Sequence, residues 1–290
     1  MNRHRLKKPT NGVTFKCIAF FAQCSFLLGL RRILMRLVPF LQLHSQVKNI
    51  VYLSWWVDIE QVRSRYPSHV QLLEKQGKTI FTILTYQHQH FGFSFLGPLR
   101  QFMPSPQQSN WRFYIAPEQQ AKTVIFEQVV IDQKLYVLSG RLASDVMPAQ
   151  YAQQFVHERE DDIIQTQIEL DALYRLSCSV QINTDQHLPQ TWKTFFSSWR
   201  EAITYLVDQD HAWVEWVDQP ERLSQGDIEM PFDFNQIQAA QVSNIDCPLL
   251  HQWGVREQDV FAFVVPALNF YVKNETPIDE NTSDCCEKCG

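Results

Sequence analysis

From Val47 onward the chain alternates apolar and polar positions at short period, so strands rather than helices dominate the reading. VKNIVYLSWWVD reads as a strand of mixed burial, and TIFTILTYQHQHF, opening at Thr79, as a long one, because β-branched and aromatic side chains suit a pleated, half-buried surface. A shorter strand is expected at His69–Leu73, before a Lys75–Lys78 turn in which Gly77 is free to take positive φ. Asp58 is placed to cap a short helix, DIEQVRSRY, which Pro67 stops. Gly92–Asn110 holds three Pro and two Gly and reads as a loop, followed by a strand at Trp111–Ile115. Val124–Ile131 and Leu135–Ser139 read as a hairpin around Asp132-Gln133-Lys134.

Further along, Leu176, Cys178, Val180 and Ile182 alternate with polar residues and predict a strand. Trp192, Phe195, Phe196 and Trp199 fall at helical spacing and predict a short helix with a core-facing stripe over Pro189–Trp199. AITYLV and HAWVEWV flank Asp208-Gln209-Asp210 as a hairpin, and Ile237–Ile245 and Val260–Lys273 are the last strands. Many strands, few short helices and no strand–helix alternation exclude a doubly wound parallel sheet. The expected fold is mostly β (α+β): a closed or nearly closed barrel of antiparallel and mixed strands, a form that often encloses a ligand cavity.

Charge and cysteine usage narrow the function. The 31 acidic residues outnumber the 26 basic ones, and no basic stripe exists beyond the first 36 residues, which argues against a nucleic-acid partner. Cys17, Cys24, Cys178 and Cys247 are isolated, and Cys285, Cys286 and Cys289 crowd the terminus; this is no disulfide framework, and it points to a reducing cytoplasm. The terminal trio lacks a fourth ligand for a closed metal site.

Residues 1–46 form a distinct extension, the barrel domain is expected over 47–273, and 274–290 reads as a disordered acidic tail. In the extension, Arg3, Arg5, Lys7 and Lys8 precede an apolar run, Cys17–Leu30, and Arg31, Arg32 and Arg36 follow it. That run is short of the roughly 20 residues a membrane span needs. Two readings stay open: translation starting at Met35, and a poorly ordered or membrane-surface arm, the single route by which the chain would meet a membrane.

VYLSWWVDIEQVRSRYPSHVQLL, NWRFYI at 110–115, KTVIFEQVVIDQKLYVLSGRLASDVMPAQYA and FFSSWREAITYLVDQDHAWVEW, in that order, resemble an uncharacterised bacterial family related to acetoacetate decarboxylase. The resemblance covers roughly residues 47–273 and implies a β-double-cone barrel with an interior pocket. The decarboxylase carries Gly-Arg-Glu followed by Pro-Lys-Lys, and one of those lysines, its pKa depressed by the neighbouring cation, forms a Schiff base with a β-keto acid. Here Gly140-Arg141 match, but Leu142 stands in place of the Glu, and Ala149-Gln150 follow Pro148 where the lysines would be. The resemblance therefore implies the fold without the covalent chemistry.

The candidate site residues follow from that pocket. Arg141 would hold a carboxylate or enolate oxygen with its planar fork, or form a structural ion pair with Glu127 or Asp145. Arg112, between Trp111 and Phe113, is either its partner charge or solvent-facing. Tyr114, Phe126 and Tyr151 supply aromatic walls. Glu127 interrupts an apolar strand; buried there, it would have a raised pKa and act as acid or base, and otherwise it faces outward. His88 and His90, two apart on a strand, share a face and would bind a metal with a further ligand such as His69, His211 or Glu215. No third ligand is fixed by spacing, and no nucleophilic Ser motif, phosphate loop or dinucleotide fingerprint is present, so neither metal nor cofactor is expected. The reading is a cytoplasmic barrel that binds a small carbonyl or carboxylate compound, with turnover left open. The alternative is a non-catalytic interaction or scaffold protein at the membrane periphery.

Overall fold

A computed structural model describes residues 3–7, 20–35 and 40–278. Two 16-residue strands, β1 (Leu43–Asp58) and β2 (Lys78–Phe93), pair antiparallel along their length. β3 (Gln107–Tyr114), β4 (Thr123–Ile131), β9 (His211–Glu215), β10 (Leu223–Glu229) and β12 (Phe261–Ile278) continue the sheet, and β12 returns to β1, closing a seven-stranded barrel. The β4–β9 pair is parallel, and the other neighbours around the barrel are antiparallel. A two-residue strand, β5 (Gln150–Tyr151), lies parallel on β4. From the start of β12 a second sheet leaves the barrel through β11 (Gln238–Asp246), β8 (Arg175–Asn183), β7 (Ile163–Glu169) and β6 (Gln154–Glu160).

The barrel strands are apolar on both faces because both faces are covered. Tyr52, Leu84, Tyr114, Phe126 and Phe263 point inward and form one core with the Trp199–Val207 helix. Val51, Phe81, Phe113 and Val264 point outward and form a second core with Ile164, Leu176 and Val180 of the outer sheet. Trp192 is fully buried in the first core, its ring 4.8 Å from Phe261 and 5.3 Å from Trp56. On β4 the alternation slips at one point. Arg112 of β3 faces Phe126, but Trp111 faces Gln128, so Glu127 is the extra residue of a bulge. Phe126 and Val129, three apart, therefore both belong to the inner core.

Several local expectations change. Lys134–Ala143 is an α-helix, not the second arm of a hairpin; Val137, Gly140 and Arg141 are its buried positions, at helical spacing. AITYLV lies in the Trp199–Val207 helix, whose cap is Ser198, accepting from Glu201 N at 3.1 Å. In place of a strand at His69–Leu73 there is a single bridge, Leu72 to Ile115. Asp58 does cap a helical turn, a one-turn 3₁₀ segment, Ile59–Gln61. The polar strands β6 and β10 give little period-2 signal and escape the sequence reading. β12 runs on to Ile278, and Glu275 accepts from Ser144 Oγ at 2.6 Å, so 274–278 is strand rather than disordered tail. Cys17, Arg36 and the Cys285, Cys286, Cys289 trio lie outside the described residues.

Within the extension, His4 and Leu6 are buried against the barrel, and Gln150 fastens this segment by accepting from Lys7 N and donating to Arg5 O, both at 3.0 Å. No helix of the described residues is long and apolar enough to cross a membrane.

Candidate ligand cavity in the barrel

Arg112 sits near the middle of β3 with Gln108, Asn110 and Tyr114 on the same inward face, since alternate strand residues share a face. Together with Tyr86, Phe91, Phe126, Val129, Met147 and Phe270 it lines a cavity of about 40 Å³. On that measure the space equals about three waters, or a compact molecule of a few heavy atoms. Arg112 is the one charged side chain on the lining among the described residues.

The guanidinium is 1 % exposed. Its Nη2 donates to Leu206 O at 2.9 Å. That carbonyl belongs to the last turn of the Trp199–Val207 helix, where carbonyls lack intrahelical donors and the helix dipole favours a cation. Tyr114 Oη also reaches Leu206 O, at 3.3 Å, and the Tyr52 and Tyr114 rings lie 5.6 and 5.5 Å from the guanidinium carbon. Burial disfavours the charge, but the Tyr114 and Tyr52 hydroxyls outweigh it and hold Arg112 above the ordinary arginine value. Its Nε has no hydrogen-bond partner and no carboxylate pairs with it among the described residues.

A directed chain of hydrogen bonds runs along the same wall. His88 is pushed down to about 4 by burial and is neutral at pH 7. Its Nε2 donates to Gln108 Oε1 at 3.0 Å, Gln108 Nε2 donates to Asn110 Oδ1 at 2.8 Å, and Asn110 Nδ2 donates to Tyr86 Oη at 3.1 Å. With Tyr86 Oη accepting, its own proton remains available at the cavity, and burial raises the Tyr86 pKa, so that proton is retained. The cavity thus presents a guanidinium and a phenol O–H within an apolar enclosure.

Not all the predicted site residues meet here. Arg112 and Phe126 line the cavity, and Tyr114 braces Arg112 from beneath. Tyr151 is half-buried beside Lys134 and is not on the lining. Arg141 is buried in neither of its expected roles. It donates to the carbonyls of Ala149 (2.6 Å), His4 (2.8 Å) and Pro148 (3.0 Å), pairs with no carboxylate among the described residues, and is pulled down to about 9 by burial. It ties the helix end to the loop and to the N-terminal segment. His88 and His90 do not share a face: His90 falls in the β1–β2 register shift between Gln89 and Gly92 and takes a φ of 53°, and it is exposed while His88 is buried. Among the described residues no group of three or more His, Cys, Asp or Glu is arranged to hold a metal.

Glu127 is fully buried, but on the outer side of the barrel, where the bulge aims it. Arg3 Nη1 donates to it at 2.9 Å, Arg65 pairs with its other oxygen, and the hydroxyls of Tyr66 (3.1 Å) and Tyr174 (2.5 Å) donate as well. Arg3 also forks onto Glu215, at 2.9 and 2.5 Å. Burial alone would raise the Glu127 carboxyl, as expected from the sequence, but Arg3 and Arg65 reverse this and hold it far below the usual carboxylate range. A carboxylate with four donors and so low a pKa is a structural anion and a poor proton acceptor.

Tyr86, Asn110, Gln108 and the Leu206 carbonyl were missed from sequence. The polar residues at 108, 110 and 112 carried a signal, since period 2 puts them on one face of a strand whose other face is aromatic.

The barrel, its inner cavity and the second sheet define a protein of the acetoacetate decarboxylase-like fold. Solved structures with this fold include the enduracididine biosynthesis enzyme MppR complexed with pyruvate (TM-score 0.54, 13% identity, covering 83% of this chain and 91% of that one). Acetoacetate decarboxylase from Legionella pneumophila gives 0.55 at 9% identity, over 83% of this chain and 88% of that one. An acetoacetate decarboxylase-like enzyme from Sphingomonas wittichii RW1 gives 0.55 at 9%, over 84% and 95%. A comparison with curated protein sequences finds no match. The sequence profile of DUF2071, described as an uncharacterised conserved protein, matches residues 44–257, and the chain belongs to that family.

Proposed function

We propose that the barrel binds a small organic carbonyl or carboxylate compound, with an anionic oxygen on Arg112 and a second oxygen on the Tyr86 hydroxyl. The observation that carries this reading is Arg112 itself, a buried cation in an apolar cavity with no carboxylate partner among the described residues. A buried charge is costly unless paired, and a carboxylate is the ligand whose geometry matches a guanidinium edge. The cavity volume of about 40 Å³ favours a compound of a few heavy atoms. The fold relative MppR, solved in complex with pyruvate, supports the same ligand class.

The reading excludes Schiff-base decarboxylation. No lysine lines the cavity among the described residues, Ala149 is buried, and Gln150 is engaged with residues 5 and 7. Any proton transfer would fall to Tyr86 or His88 rather than Glu127. We place the protein in a reducing bacterial cytoplasm, in keeping with the free buried thiols Cys178 and Cys247. The test is calorimetric titration of pyruvate and acetoacetate into wild type and Arg112→Met. Wild type is expected to bind, and the variant to lose roughly 30-fold or more in affinity, the smallest loss expected when one partner of a buried charge pair is removed. Equal affinity in both proteins overturns the reading.

A further inference from the structure

The Ser25–Met35 helix is seated the reverse of a water-facing helix. Its cations point into the protein. Arg32 forks onto Asp145 at 2.8 Å and reaches Asp218 at 2.6 and 3.0 Å, and Arg31 pairs with Asp145 at 2.5 Å. Leu28 is buried with the cations, but Phe26, Leu30, Ile33 and Leu34 point out, with Phe26 76 % and Ile33 59 % exposed. Beyond the helix end lies an apolar groove of about 380 Å³, lined by Met35, Leu41, Phe93, Met103 and Leu135. Beside the groove the Ser94–Phe102 3₁₀ segment exposes Phe95, Leu99 and Phe102, each at 60–72 %. Single exposed apolar residues are normal on a soluble surface; a continuous band from three elements marks an interaction face.

We propose that this face docks on an anionic lipid bilayer as a peripheral contact. Charge selects the occupant. Segments 20–35, 40–46, 91–106 and 134–143, which build the face, contain no Asp or Glu, although the chain carries a net charge of -5. Arg100 and Lys134 lie in these segments with no carboxylate partner among the described residues. Residues 1–46 contain no carboxylate, and of their eight Lys and Arg only Arg3, Lys7, Arg31 and Arg32 are in internal ion pairs among the described residues. Exposed Phe, Leu and Ile mixed with unpaired cations and free of acids match the interface of an anionic membrane, where apolar side chains insert at the acyl boundary and cations meet headgroups. With no helix of spanning length among the described residues, the contact lies on the surface. The Arg32 clamp fixes the helix so that this apolar face is presented rather than buried.

The test is flotation of the full-length protein with phosphatidylcholine vesicles and with vesicles that also contain phosphatidylglycerol. Two double variants, Phe26→Asp/Ile33→Asp and Leu99→Asp/Phe102→Asp, alter exposed positions on separate elements; circular dichroism checks their fold. Wild type is expected to float with the anionic vesicles, less so at high salt. Each double variant should lose about tenfold or more in binding, from the lost insertion of two apolar side chains. Arg112→Met should float like wild type. Wild type that floats with neither vesicle, or variants that float as well as wild type, overturn the proposal. So does a wild-type dimer in analytical ultracentrifugation that the variants abolish without any vesicle binding, since the face would then join two copies.

Discussion

Glu127→Gln separates a structural carboxylate from a catalytic one. The substitution keeps the shape and removes the charge between Arg3 and Arg65, leaving two largely buried guanidiniums with one fewer counter-ion. Glu215 still serves Arg3, so the main loss falls on Arg65 and on the Tyr66 and Tyr174 hydrogen bonds. Breaking a buried pair costs ~3–5 kcal/mol, and the retained amide oxygen puts the expectation near the lower end, at about 3 kcal/mol. At the usual unfolding entropy per residue, a chain of this size would melt about 5 °C lower. Urea unfolding at pH 7 measures the difference directly. The sign with pH is also set. Because the folded-state pKa is depressed, the carboxylate's contribution is complete above the unfolded value of 4.5 and is lost as pH falls below it, so the gap between wild type and variant narrows in acid. Ligand affinity should not change, since Glu127 lies outside the cavity lining. A loss below about 1 kcal/mol, the level of an exposed pair, would refute the argument.

His88 and His157 are both pushed down to about 4 by burial, from 6.5. The unfolded chain then binds protons that the folded one refuses, so stability should fall as pH drops from 6.5 toward 4, by about 3 kcal/mol for each histidine; His88→Gln should flatten part of that slope in urea midpoints between pH 7 and 5. Tyr86→Phe removes the free phenol proton at the cavity and should weaken pyruvate binding by about tenfold in the same calorimetric titration, with unchanged affinity counting against the second-donor role.

The strands were legible for two reasons. Leu176–Ile182 of the outer sheet alternates cleanly, and the long barrel strands at 51–57 and 79–86 are buried on both faces, which leaves an aromatic and β-branched run that few other settings accept. The 134–143 segment did not, because Leu135, Val137 and Leu138 suit a strand as well as a helix over so short a window; the decision is tertiary, made by Gly140 and Arg141 packing toward Met147 and Pro148. The candidate cavity was partly legible. Arg112 and Phe126, marked in the sequence on apolar strands, both lie on its lining. Arg141 and Glu127 looked equivalent to Arg112 in sequence, and nothing local reveals that three carbonyls hold one and two distant arginines the other. A bulge adds a residue without changing composition, so neither Glu127's outward aim nor the divergence of His88 and His90 leaves a mark in the pattern.

Whether the barrel holds a small anion on Arg112 is read most simply from a crystal structure of the protein grown with pyruvate. The carboxylate is expected within hydrogen-bond distance of the Arg112 guanidinium, with an oxygen on Tyr86 Oη, enclosed by Phe126, Val129 and Phe270. Pyruvate bound elsewhere, with Arg112 holding only the Leu206 carbonyl, would contradict it.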